Sequence, residues 1–201
     1  MATVYEASGR EGLIDLPLIQ LVPGSRAAGP ARTVSCGQDD NLMVHACIER
    51  IHPGEILVLS MPEPSPTALI GDLLVTQIKG RGAAAIILNG SVRDSKELID
   101  MDLPIWTPFI RVRGAVKKFV GGLDVPVQLG GCEIRPDDII ILDGDGAVCV
   151  KKERIDEVLQ AAEARLNREE NLRSKLAAGE FSYDLHGLRD LVEKAEGKND
   201  R

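Results

Sequence analysis

The chain has 201 residues, of which 44% are hydrophobic and 27% charged, and a formal net charge of −7 at pH 7. This is ordinary globular composition, enough for one domain with its own core, and no linker divides it. The acidic balance argues against the clustered Lys and Arg of a nucleic-acid footprint, and no apolar run approaches the roughly 20 residues that cross a bilayer. The N-terminus, Met1 to Arg10, lacks a basic stretch followed by an apolar one, so no secretion signal is read. Cys36, Cys47, Cys132 and Cys149 are scattered without a CxxC pairing, which predicts buried, reduced thiols in a cytoplasmic protein.

In chain order, residues 3–12 read as the end of a helix stopped by Gly9 and Gly12, and residues 31–37 as a strand. Leu42 to Ile51 has the one-sided apolar spacing of a helix, with Asp39, Asp40 and Asn41 ahead of it as capping oxygens. After the Pro53-Gly54 turn, Glu55 to Met61 is a nearly continuous apolar strand, buried on both faces. Three prolines make 62–66 a loop. Thr67 to Lys79 has helical spacing with Leu69, Leu73 and Ile78 facing inward, and Gly80-Arg81-Gly82 ends it as a glycine cap. Ala83 to Leu88 is a second buried strand, Ser95 to Asp100 a short helix, and Leu103 to Trp106 a short strand.

From residue 109 the pattern changes. Phe109 to Val120, Val125 to Leu129 and Ile139 to Val150 read as antiparallel sheet with turns at 121–122, 130–131 and 143–146. The last of these lacks the further oxygens of a calcium loop and reads as a hairpin. Glu153 to Ala178 is a long, largely polar helix with a seam from Ile155 to Leu172, closed by Gly179. Residues 179–201 read as an arm reaching a neighbouring subunit, with Gly197 to Arg201 frayed.

Chemistry concentrates in the middle. Gly71-Asp72-Leu73-Leu74 marks a turn or helix start, and twenty residues separate Asp72 from Arg93-Asp94. A helix, a turn and a buried strand fit in that gap and would return Arg93 and Asp94 beside Gly71. One guanidinium, two carboxylates and free helix N–H groups would then meet. Asp94, directly after a strand, suits a divalent ion that takes one or two carboxylates and fills its remaining positions with water or a chelating 2-oxo acid; it equally suits a cap on the helix at Ser95. Arg93 matches a carboxylate or enolate, or a salt bridge. The backbone of Gly71 to Leu74 can hold a carboxylate, or Gly71 can be a kink. Asp72 can orient water or relay a proton, or be a solvated helix charge. Asn41 and His45 are further pocket candidates, though a lone His on a helix is commonly structural. Lys79 at a helix end reads as a solvated charge rather than a Schiff base.

The stretch GDLLVTQIKGRGAAAIILNGSVRD resembles the 4-hydroxy-4-methyl-2-oxoglutarate / 4-carboxy-4-hydroxy-2-oxoadipate aldolases, class II pyruvate aldolases that share their fold with the regulator of ribonuclease activity A. PGSRAAGPARTV, DDNLMVH, IHPGEILVL and the KLAAGE tail extend the resemblance over nearly the whole chain. It implies a single-domain α/β protein, a layered α/β/β/α sandwich of the swivelling β/β/α type over 1–178 with a C-terminal helical arm. It also implies a divalent metal (Mg²⁺ or Mn²⁺) on Asp94 and substrate on Arg93. The pyruvyl carboxylate would lie on the N–H groups of Gly71, Asp72, Leu73 and Leu74, and Asp72 would place a water. Glu180 is similar to a tail glutamate that reaches an adjacent subunit's metal site, and a homotrimer or homohexamer is implied.

The implied reaction is retro-aldol cleavage of a 4-hydroxy-2-oxo acid to pyruvate, with oxaloacetate decarboxylation beside it. Two departures stand out: Asn89 replaces an acid common in relatives, and relatives carry additional helix ahead of Thr3 to Ala7. Two other readings remain open, a non-catalytic regulator-like binding protein and a lyase or decarboxylase for another 2-oxo acid. No nucleic-acid or membrane partner is expected.

Overall fold

The computed structural model of the chain describes residues 1–196. Helix α1 (Ala2–Ala7) and strand β1 (Ile19–Gln20) lead into the long β2 (Ala27–Ser35), α2 (Leu42–Cys47) and β3 (Ile56–Ser60). The middle of the chain carries β4 (Ala68–Ile70), α3 (Asp72–Gly80), β5 (Ala85–Leu88), β6 (Ser91–Val92), α4 (Ser95–Asp100), β7 (Ile105–Thr107) and β8 (Phe109–Ile110). Then come β9 (Gly122–Leu123), β10 (Val127–Leu129), β11 (Cys132–Ile134), β12 (Ile139–Asp143) and β13 (Gly146–Val150). Helices α5 (Ile155–Ala177), α6 (Ser182–Leu185) and α7 (Arg189–Glu196) complete the order.

The main sheet runs β1-β7-β5-β3-β2-β12-β13, with β9 also on β2. Its centre, β2, β3, β5 and β7, is parallel. Strand alternation sorts the central residues onto two cores. Leu57, Leu59, Ile86 and Leu88 face α2, α3 and α4, where Val44, Val75, Ile78 and Leu98 meet them. Ile56, Val58, Ala85 and Ile87 face Trp106, Val127, Leu129, Ile134 and Ile140 on the other side. Both faces are covered, so these strands are apolar throughout, as their sequence predicts. The chain is thus mixed α/β, a curled sheet with a C-terminal helix.

Several expected elements hold. The hairpin at 143–146 pairs β12 with β13, Asp143 opposite Gly146. Gly130-Gly131 turns β10 into β11. Gly82, at φ +84°, comes just after the end of α3, as a glycine stop requires. All four cysteines are free and buried. No helix among the described residues is long and apolar enough to cross a membrane.

Others need correction. The helix expected over Thr67 to Lys79 is strand β4 followed by α3. Leu69 and Ile70 are both buried, which a strand closed on both faces permits, and Leu73 is 73% exposed rather than inward. The helix expected to Ile51 ends at Cys47 and tightens into a 3-10 turn, Ile48–Arg50. The strand expected over Phe109 to Val120 is real only at β8, and there it is parallel to β6. Beyond it the segment is irregular and exposed, with Val112 at 92%, because its apolar residues have no core to face. In α5 only Val158 and Ala162 of the expected seam are buried. The fraying expected for Gly197 to Arg201 lies outside the described residues.

Candidate functional site

Three short parallel strands, β4, β6 and β8, form a second small sheet beside the main one. Their carboxyl ends deliver Gly71, Arg93 and Arg111 to one edge, the position where parallel sheets hold ligands. The strand expected to carry Arg93 back is therefore two pieces, β5 and then β6. Asn89 joins them to the main sheet. Its Oδ1 accepts from the Met61 N–H and its Nδ2 donates to the Met61 carbonyl, both at 2.8 Å. A carboxylate there could accept but not donate, so this position, where an acid is common in relatives, fits an amide.

Gly71 is the N-cap of α3 and offers no side-chain cap. The first N–H groups of the helix have no partner within it. One of them, Asp72 N–H, donates to Asp94 Oδ2 at 3.2 Å. A Cβ on Gly71 would collide with that same Oδ2 and lie 3.1 Å from Arg93 Cγ and Nε. Glycine is needed here for space; its backbone, at φ −150°, is ordinary extended chain. Asp94 does occupy the N-cap position of α4, in the left-handed conformation at φ 59°, yet its side chain makes no cap bond there. The carboxylate turns instead to the start of α3, and Arg93 Nε stands 3.5 Å from Oδ2. Arg93, Asp94 and Gly71 to Leu74 are thus brought together as the spacing predicts.

A cavity of about 230 Å³ opens beside Gly71 to Leu74 and is lined also by Asn41, His45, Arg93 and Lys117. An adjoining one of about 340 Å³ is lined by Arg93, Asp94, Ser95 and Arg111, so Arg93 is the wall between them. Asn41 and His45, weak candidates in sequence, do line the first. Asn41 Nδ2 donates to the Leu69 carbonyl at 2.8 Å, and its Oδ1 is buried without a donor. Burial first, and then the Lys117 charge, hold the His45 imidazole below its ordinary pKa of 6.5. Lys79 lines neither cavity and donates to the Met101 carbonyl.

Two contributors are not evident in the sequence. Lys117 lies in the exposed segment after β8, where Arg111, Arg113, Lys117 and Lys118 occur without an acid in a chain of net charge −7. That local inversion of charge is the signal that could have found it. Asp40 is almost wholly buried; only one of its oxygens caps, Oδ1 accepting from Leu42 N–H at 2.8 Å. Oδ2 accepts from Lys118 and Phe119 N–H at 2.6 and 2.9 Å. Burial would raise this carboxyl, but the three N–H donors and the Lys117 charge hold it below the usual range.

Among the described residues, no three His, Cys, Asp or Glu side chains converge to hold a metal. A closed protein cage does not fit. A hard divalent ion held by Asp94 alone, with water and a chelating ligand completing its shell, fits the half-exposed carboxylate. Glu180 lies past the end of α5, exposed, and lines neither cavity.

Residues 1–149 match the family model RraA-like, Aldolase/RraA. The chain belongs to the RraA-like family. Among its relatives is a provisionally named 4-hydroxy-4-methyl-2-oxoglutarate aldolase of Halalkalibacterium halodurans. It is 31% identical over 140 residues, 70% of this chain and 67% of that protein. Similar RraA-like structures include Streptomyces coelicolor RraAS2, described as an unusual member of the RNase ES inhibitor RraA protein family. It has a TM-score of 0.77 at 30% identity, covering 86% of this chain and 90% of that one. The RNA-processing inhibitor RraA from Thermus thermophilis has a TM-score of 0.64 at 27% identity, covering 70% and 84%.

Proposed function

We propose that this RraA-like protein is a divalent-metal-dependent aldolase that cleaves a 4-hydroxy-2-oxo acid, such as 4-carboxy-4-hydroxy-2-oxoadipate or 4-hydroxy-4-methyl-2-oxoglutarate, and releases pyruvate. One observation carries the reading. The N-terminus of α3, Arg93 and the Asp94 carboxylate meet at Gly71, where there is no room for a side chain. The relative named as an aldolase supports it.

The first-turn N–H groups at Gly71 to Leu74 bind the 1-carboxylate of the substrate. Arg93 lies against the 2-oxo oxygen, a fixed positive charge where negative charge develops. Asp72, half-buried on the same cavity, takes the proton from the 4-hydroxyl. The C3–C4 bond breaks, the 4-carbon becomes a carbonyl, and the electron pair passes to the pyruvate enolate, which takes a proton at C3. Asp94 would hold Mg²⁺ or Mn²⁺, which supplies Lewis-acid stabilisation of that enolate, worth several kcal/mol. Loss of CO₂ from oxaloacetate gives the same enolate, so decarboxylation is a second activity of the same residues.

Exposed Leu73, Val112, Phe119 and Val120 around the cavity support a homotrimer or homohexamer, closed over the site. In that assembly residues 179–201 form the arm on a neighbour, with Glu180 at its base. The test is pyruvate release from 4-carboxy-4-hydroxy-2-oxoadipate and from oxaloacetate, followed as NADH oxidation by lactate dehydrogenase, with Mg²⁺ and then EDTA. EDTA-sensitive release from the hydroxy acid is expected. Release from oxaloacetate alone would make the protein a decarboxylase. No release from either would favour the second reading, a binding protein, which the likeness to RraAS2 supports.

A further inference from the structure

The cavity beside Gly71 carries more positive charge than one carboxylate requires. Arg93 and Lys117 both line it, and Asp72 is its one lining acid. His45, on the same wall, is biased to the neutral form and adds no second cation at neutral pH. A 2-oxo acid seated by its 1-carboxylate on the α3 N–H groups and Arg93 leaves Lys117 without a counter-ion from the ligand.

Lys117 is also held in place rather than merely nearby. The irregular segment after β8 is laced across the ends of the small sheet by single backbone bonds: Arg111 N–H to Val92 carbonyl at 3.0 Å, Ala68 N–H to Arg113 carbonyl at 2.7 Å. Asn41 N–H then donates to the Val116 carbonyl at 2.9 Å, and Val116 N–H to the Asp39 carbonyl at 3.0 Å. Directly after Lys117, the Lys118 and Phe119 N–H groups close on Asp40 Oδ2. The backbone on both sides of Lys117 is therefore fastened to the start of α2, the helix that brings His45 to the cavity. A surface lysine needs no such anchorage; a cation that must meet a ligand does.

We infer that Lys117, positioned by the buried Asp40 carboxylate, reads a second carboxylate on the ligand, so that the site selects 2-oxo diacids over 2-oxo monoacids. The inference rests on the reading of Gly71 to Leu74 and Arg93 as the seat of the 2-oxo acid, and it adds a specificity-determining cation and a positioning residue. Arg111 and Arg113 share the segment but do not line this cavity, so they are not part of the subsite.

The test uses two ligands of equal length that differ only in carboxylate against methyl, 2-oxoglutarate and 2-oxopentanoate. Their binding to the full chain is measured by calorimetry with Mg²⁺ present. The unaltered protein should bind 2-oxoglutarate about ten- to a hundredfold tighter, the scale of one charge-assisted contact. Lys117→Met should erase that preference and leave 2-oxopentanoate affinity unchanged, while Lys117→Arg should keep most of it. Asp40→Asn should shrink the preference without weakening 2-oxopentanoate. Equal affinities in the unaltered protein, or a Lys117→Met variant that retains the preference or weakens both ligands alike, would overturn the subsite. Equal loss of both ligands in Asp40→Asn would remove the positioning role. Binding is read without turnover. Absence of pyruvate release would therefore defeat the aldolase reading while leaving the role of Lys117 to be decided by the calorimetry.

Discussion

The main sheet and the small sheet are built from similar residues in opposite ways. Strands β3 and β5 bury their side chains on both faces, and every residue in them is closed to solvent. Strands β6 and β8 have two residues each, and the chain beyond β8 is exposed, Val112 included. The main sheet is stable because it is covered. The small sheet is useful because its strands stop early and hand Gly71, Arg93 and Lys117 to open space. The contrast teaches where the chain invests its packing: in the scaffold, with the site hung from it by a few directed bonds.

The largest expected effect falls on the site alone. Asp94→Ala should lower metal-dependent pyruvate release by at least about a hundredfold, while the melting temperature stays near that of the unaltered protein because the carboxylate is half-exposed. An unchanged kcat would sink the assignment. The converse is Ile87→Ala in β5, whose side chain is fully buried. It should cost about 2–5 kcal/mol in denaturant unfolding, with the active fraction keeping its kcat. The junction between the two regions comes next. Asn89→Asp removes a donor from the buried Met61 carbonyl and should cost about 1–3 kcal/mol, read by the same unfolding curves.

Acid should act through Asp40. Its carboxyl lies below the usual range when folded, so its contribution is present above about pH 4, the unfolded value, and is lost as pH falls through the lower folded value. In Asp40→Asn that acid-dependent loss should be absent, which unfolding measured at pH 7 and at pH 3 would reveal. The smallest effect is expected at Val112, 92% exposed. Val112→Ser should change subunit stability by less than about 0.5 kcal/mol. Sedimentation should nonetheless show a weaker assembly; an unchanged one would remove Val112 from the proposed interface.

Legibility in the sequence divides along the same line. Glu55 to Met61 and Ala83 to Leu88 are readable because burial on both faces leaves an uninterrupted apolar run. The spacing of Asp72 and Arg93-Asp94 is readable because a helix and a strand between them have known lengths. Strand β4 is not: three apolar residues before a helix extend the helical pattern, and only pairing with β6, twenty-odd residues away, makes them a strand. Nor is the segment after β8, where alternating cations and apolar residues imitate a half-buried strand. Asp40 passes for a simple cap, since nothing in its neighbours shows that Lys118 and Phe119 return to it.

The Asn89 clip to Met61 has a consequence in time as well as in space. Strands held by one or two bonds open more readily than a sheet covered on both sides. Amide hydrogens in β6 and β8 should therefore exchange well before those of β3 and β5. Warming would then empty the site of its geometry while the sheet beneath it is intact, so that activity is lost at a lower temperature than the fold, and returns on cooling.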